Sequence, residues 1–203
     1  MQYQLVVEEY QNQLHMLKNT DRGIFTIEEA KDGHYFNEGL ALLLLDIFPT
    51  DVPIVDYGCG PGRYVEFLRK YKYKVIGIEG TPLLDLPKGV LVTDLTQPII
   101  AMEKTNTLCL EVGEHIPKEF EEVFLNNITQ MCDSKLVISW AVPGQGGVRH
   151  VNEKTNEEVA MLMGRLGFYI NDDQTYYLRL NFDHTKTPWF KNTLMVFDKH
   201  ESK

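Results

Sequence analysis

From Asp51 onward the chain alternates between short β-branched runs and stretches of helical spacing. That alternation dictates a parallel sheet covered by helices on both faces, an α/β fold. The segments "VPIVDY", "KVIGIE", "GVLVTDL", "NTLCLEV" and "KLVISWAV" read as buried strands. Between them, "GRYVEFLRKY" and "PKEFEEVFLNNITQMC" carry apolar residues at helical intervals, the second through Phe120, Val123, Phe124, Ile128 and Met131. "TNEEVAMLMGRLG" predicts a helix with Thr155 as N-cap, Glu158 three residues later and Gly167 closing it. The tail departs from the alternation. "QTYYLRLNF" and "WFKNTLMVFD" read as two strands joined by "DHTKTP", an antiparallel hairpin at the sheet edge. Two helical segments, about residues 2–18 and 35–48, precede the first strand. Residues 1–50 therefore read as a helical extension or lid, and 51–203 as the α/β domain.

The totals restrict function. With 203 residues the chain suits one domain that buries a substantial core without staples. A net charge of −9 repels a phosphate backbone, which disfavours nucleic acid as partner. The one basic cluster, "RKYKYK", ends a helix, where it complements the helix dipole. Three cysteines, Cys59, Cys109 and Cys132, are an odd number without C-x-x-C spacing, which argues against a disulfide framework or zinc knuckle and for a reducing compartment. The first residues are acidic and polar, unlike a signal peptide, and the apolar run "LALLLLDIF" is too short to span a bilayer. The expectation is a soluble, cytoplasmic protein with no membrane partner.

In an open α/β sheet, ligands bind beyond the carboxyl ends of the strands. The first such end is "VDYGCGPGRYV", where Gly58, Gly60 and Gly62 let the backbone turn sharply and approach a ligand. The spacing is G-x-G-x-G and no Lys-Ser/Thr pair follows, which excludes a P-loop. Pro61 at the helix start removes an N–H and Asp56 adds negative charge. Both fit a diphosphate poorly and suit a cofactor with a cationic group. Glu79 ends the second strand 21 positions after Gly58, where an acid can accept from ribose hydroxyls. Asp94 ends the third, where a carboxylate can accept from an adenine amino group. A nucleoside with an amino-acid tail and no phosphates is S-adenosylmethionine (SAM).

The run "VDYGCGPG…IGIEG…VTDL…LEVGEHIP" resembles the class I SAM-dependent methyltransferases, over about residues 54–199. The resemblance implies a Rossmann-like, seven-stranded, mostly parallel sheet of order 3-2-1-4-5-7-6 with strand seven antiparallel. It also implies roles: Asp56, Gly58, Gly60 and Gly62 on the methionine end, Glu79 with Gly80 on the ribose, Asp94 with Leu95 on the adenine, and Glu111 beside the cofactor.

"LEVGEHIP" leaves strand four and so borders the cofactor and the methyl acceptor. Three readings stand side by side. In the first, Glu114 and His115 cap the following helix while Glu111 tunes polarity. In the second, His115 is the general base, with Glu111 or His150 assisting. In the third, Glu111, Glu114, His115 and His150 hold Mg²⁺ or Mn²⁺. The last set is similar to the divalent-metal site of small-RNA 3′-terminal 2′-O-methyltransferases, and its strand-four part to quinone-biosynthesis O-methyltransferases. After strand five, "SWAVPGQGGVRHVNE" forms a flexible loop over the site, with Trp140, Gln145, Arg149, His150 and Asn152 as handles for an acceptor. Tyr35 and Phe36, before a helix, either lid the site or staple that helix.

The expected function is methyl transfer from SAM to an oxygen of a small hydroxylated molecule, such as a sugar, glycan or other metabolite. The alternatives are a nucleic-acid 2′-O-methyltransferase with a divalent metal and a non-catalytic SAM-binding module.

Overall fold

A computed structural model describes residues 22–26, 29–30, 34–82, 86–100 and 103–200. The helix expected at residues 2–18 lies outside them. Seven strands form one sheet of order β3-β2-β1-β4-β5-β7-β6. They are β1 (Ile54–Tyr57), β2 (Val75–Glu79), β3 (Val90–Val92), β4 (Thr105–Leu110), β5 (Cys132–Ser139), β6 (Phe168–Ile170) and β7 (Met195–Lys199). β1 to β5 pair in parallel, and β7 runs antiparallel to both β5 and β6.

The central strands are short and apolar because both their faces are covered. All four β1 residues are buried, as are the first five of β4. On one face, Val55, Cys109 and Leu136 pack with Phe124 and Ile128 of α3 (Glu121–Thr129) and with Val159 and Met163 of α4 (Asn156–Arg165). On the other, Ile54, Leu108 and Val196 meet Leu40 and Leu44 of α1 (Glu38–Ile47), Val65 and Leu68 of α2 (Arg63–Lys70), and Leu178 of α5 (Asp172–Leu180). The Thr155–Glu158 capping box starts α4 as expected, and Gly167 follows it at φ 87°.

Two expectations need correction. "QTYYLRL" is not a strand but part of α5. Asn171 accepts from the Gln174 amide, Asp172 and Asp173 fill the first turn, and Thr175 and Leu178 bury one face. The cap and the acids outweigh the β propensity of Thr-Tyr-Tyr. β6 is therefore the earlier "FYI" segment, and α5 and the single turn α6 (Phe190–Thr193) separate it from β7. There is no direct hairpin. Second, α2 starts at Arg63 on a left-handed Gly62, so Pro61 precedes the cap and removes no helical N–H. Among the described residues, no helix is long and apolar enough to cross a membrane.

Candidate active site

Strand order reverses between β1 and β4, and a cavity of about 680 Å³ opens beyond their carboxyl ends. One half is built by the first three strands. After β1, Gly58, Gly60 and Gly62 all have positive φ, at 71°, 54° and 76°. A Cβ on Gly60 would stand 2.4 Å from His34 Nδ1. The turn is thus both left-handed and pressed against a neighbour, so glycine is required. Glu79 holds it in place: one oxygen accepts from Gly60 N at 2.8 Å, the other from Thr81 N at 2.7 Å. Each oxygen keeps a second lone pair for a ligand hydroxyl.

Asp56, 3% exposed, has an Oδ2 with no hydrogen-bond partner. Burial, then the charge of Glu79, pushes its pKa well above the ordinary value. Asp94 is engaged: its Oδ1 takes the Thr96 amide and hydroxyl, and its Oδ2 lies 3.1 Å from Arg22 Nη1. Gly80, Asp94 and Leu95 line the cavity. Acids, glycine turn and an unpaired buried carboxylate oxygen in one cavity fit SAM. Asp56, Glu79 and Asp94, at or just beyond the ends of β1, β2 and β3, all line this cavity.

The other half hangs on β4 and β5. Glu111 sits at φ 53°, a left-handed conformation that costs a non-glycine residue about 1–2 kcal/mol. Its amide donates to Ser139 Oγ at 2.9 Å, and its Oε2 accepts from Gln145 Nε2 at 2.6 Å. Two residues on, a 3₁₀ turn (Gly113–His115) buries Glu114 completely, with neither carboxylate oxygen hydrogen-bonded. Desolvation, then the charge of Glu111, pushes the Glu114 pKa well above the ordinary value.

His115 sits edge-on to Phe25 and to His150, at 4.8 and 5.0 Å between centroids. Its Nδ1 is 3.3 Å from the Arg149 carbonyl, which only accepts, so Nδ1 carries the proton and Nε2 a lone pair. Burial pulls its pKa down to about 4. Glu114, His115 and His150 each offer a ligand atom, and these atoms lie within 4.8 Å of one another.

Several expected roles change. Glu114 and His115 cap no helix: α3 begins after Phe120 with no side-chain cap, and Glu114 is turned inward. Glu111 stands outside the three-residue ligand group, its Oε2 taken by Gln145. Trp140 is not a substrate handle. It is fully buried, its ring lies 2.4 Å from where a Gly113 Cβ would be, and its Nε1 donates to Asn152 O at 2.6 Å. It is the floor under the Glu114 turn. Asn152 is also buried, donating to Ile116 O and Glu121 Oε2. The Arg149 side chain pairs with Glu29 at 2.8 Å and does not line the cavity. The loop is tethered, because Glu153 accepts from Gly144 N and Gly146 N. Gln145, His150 and Tyr35 do line the cavity, and Tyr35 meets Trp189 edge-on at 5.2 Å. Phe36 instead packs on Tyr64 and Phe67, stapling α1 to α2.

Sequence reading missed Arg22, Phe25, Glu153 and Trp189. Glu153 had a signal, its spacing three after His150. The others reach the site only through tertiary folding.

No family model and no curated protein sequence matches the chain. Solved structures do. A TehB-like SAM-dependent methyltransferase from Corynebacterium glutamicum is 23% identical at TM-score 0.57, over 85% of this chain and 93% of that one. Magnesium protoporphyrin IX methyltransferase from Synechocystis with bound SAM is 18% identical at TM-score 0.56, over 79% and 76%. The 4+2 cyclase SpnF is 12% identical at TM-score 0.54, over 80% of each chain. The fold is that of the class I SAM-dependent methyltransferases. The cyclase illustrates that this fold alone does not fix the reaction.

Proposed function

We propose that this chain is a SAM-dependent methyltransferase acting on an oxygen of a small hydroxylated molecule. The observation that carries the reading is that one cavity joins the Asp56–Glu79–Asp94 half to the Glu111–Glu114–His115–His150 half. SAM, when bound, supplies a methyl carbon activated by a sulfonium. Asp56 and Glu79 would orient it through an ammonium and a ribose. The enzyme's contribution is mostly position and exclusion of water. Phe25, Tyr35 and Trp189 wall the cavity, while Gln145 and Glu111 offer an amide oxygen and a carboxylate oxygen without partners, suited to acceptor hydroxyls.

A hydroxyl acceptor must lose a proton. His115 is neutral and presents Nε2, but a base with a pKa of about 4 is weak for a hydroxyl. The donor set favours a second mode of activation. Glu114, with two unpaired oxygens, and two imidazoles would hold a divalent cation such as Mg²⁺ or Mn²⁺, which would act as a Lewis acid toward the acceptor. A carboxylate and two imidazoles whose ligand atoms lie within 4.8 Å of one another suit a cation better than a capping role.

The test is calorimetric titration of chelated protein with SAM, with and without Mg²⁺ or Mn²⁺, followed by methyl transfer to a panel of sugars and hydroxylated metabolites. Micromolar SAM binding and transfer to oxygen are expected. Absence of SAM binding would sink the reading. Binding heat for metal that persists in Glu114→Gln would remove the cation from this site.

A further inference from the structure

One exposed-side carboxylate touches both parts of the acceptor half. Glu153 Oε1 lies 2.9 Å from His150 Nδ1 and accepts from Gly146 N at 3.0 Å, while its Oε2 accepts from Gly144 N at 2.7 Å. Between the two tethered glycines stands Gln145, the residue that reaches Glu111. We propose that Glu153 is a positioning residue: it fixes the proton of His150 on Nδ1, so that Nε2 presents a lone pair to the cavity, and it holds the loop that delivers Gln145 to Glu111.

The chemistry is forced by donor and acceptor types. An ionised carboxylate only accepts, so the hydrogen shared with His150 belongs to Nδ1. Nε2 is then the ring nitrogen left for a ligand, on a side chain that lines the cavity. The backbone of Gly147 crosses so close that a Cβ there would stand 2.3 Å from Nε2, which holds the ring from the other side. His115 is set in the same way by a different partner, the Arg149 carbonyl on its Nδ1. Both imidazoles therefore have an outer acceptor on Nδ1, which leaves Nε2 as the ring nitrogen that carries the lone pair. Such outer partners set the tautomer and orientation of ligating or basic imidazoles.

Glutamine cannot serve all three donors, since it has one acceptor oxygen where Glu153 uses two. Its oxygen can still take one loop amide, but its NH₂ donates. Facing His150, it would make Nδ1 the acceptor, move the proton to Nε2 and point a donor at the site. Aspartate keeps the acceptor-only chemistry with a shorter reach.

The proposal rests on the methyl-transfer reading only for its consequence, and the tautomer can be measured without it. Protein labelled at its imidazole nitrogens is examined by long-range ¹H–¹⁵N correlation at about pH 8.5, two units above the ordinary imidazole value. Deletion of the signal in His150→Gln assigns it among the six histidines. The expected result is Nδ1–H in the unmodified protein and in Glu153→Asp, and Nε2–H in Glu153→Gln. Faster exchange of the Gly144 and Gly146 amides is expected in Glu153→Ala. In an active preparation, Glu153→Gln lowers kcat about 10- to 100-fold with KM for SAM unchanged. Nε2–H or a doubly protonated His150 in the unmodified protein overturns the proposal, as does a tautomer that ignores both Glu153→Gln and Glu153→Ala. If the unmodified protein transfers no methyl group yet shows the expected tautomers, the positioning stands and the methyl-transfer reading fails.

Discussion

Arg22 Nη1 lies 3.1 Å from Asp94 Oδ2, and so ties Arg22 to the end of β3 at the cavity. The described residues that follow it are held as well. Thr81 Oγ1 donates to Phe25 O at 3.2 Å, Gly23 is pressed against the His115 carbonyl, and Glu29 pairs with Arg149. These described residues thus contact both halves of the cavity. Arg22→Ala is expected to speed release of S-adenosylhomocysteine about two- to fivefold, the range of a partly exposed ion pair. Stopped-flow displacement measures this. Tighter cofactor binding would instead identify Arg22 as a competitor for Asp94.

Glu79 has a structural duty that precedes any ligand, since it bonds Gly60 N and Thr81 N. Glu79→Ala should weaken SAM by about 1.5–3 kcal/mol, through both the lost ribose acceptor and the loosened turn. Calorimetry decides, and an unchanged affinity would remove both roles.

Trp140 should affect stability before it affects substrate. Trp140→Phe removes the bond to Asn152 O and leaves a void against Gly113. A loss of about 1–3 kcal/mol in denaturant unfolding is expected, with KM for the acceptor unchanged. A raised KM with unaltered stability would restore it as a binding residue.

Glu121 carries a pH signature. Burial alone would raise its pKa, but hydrogen bonds from Lys118, Lys154 and Asn152 hold it below the ordinary value of 4.5. A depressed carboxyl pKa stabilises the fold above the unfolded value and loses that stability as pH falls through the folded one. Chemical denaturation between about pH 6 and pH 3 should show this acid loss, and Glu121→Gln should flatten it.

The sheet was legible because its parallel strands are continuous apolar runs with turn signals at each end. That the glycine turn, Glu79 and Asp94 meet at one cavity was legible for a related reason: such a sheet opens its cavity at the carboxyl ends of strands, which sequence locates. The C-terminal pair was misread because Tyr176, Tyr177, Leu178 and Leu180 satisfy a strand as well as a helix, and only Asn171 with its acids distinguishes them. Trp140 and Arg149 were misassigned for a different reason. Position after strand five says which end of the sheet a residue occupies, not which way its side chain turns. That is decided by neighbours such as Gly113 and Glu29, distant in sequence.

The placement of the two tryptophans gives the protein a built-in optical division. Trp140 is sealed in the core, while Trp189 forms part of the cavity wall against Tyr35. The buried indole should emit toward the blue and change only on unfolding. The wall indole should be the one that iodide or acrylamide quenches and that a bound acceptor shields. With Trp140 silent to ligands, a fluorescence titration would read occupancy of the acceptor half from Trp189 alone.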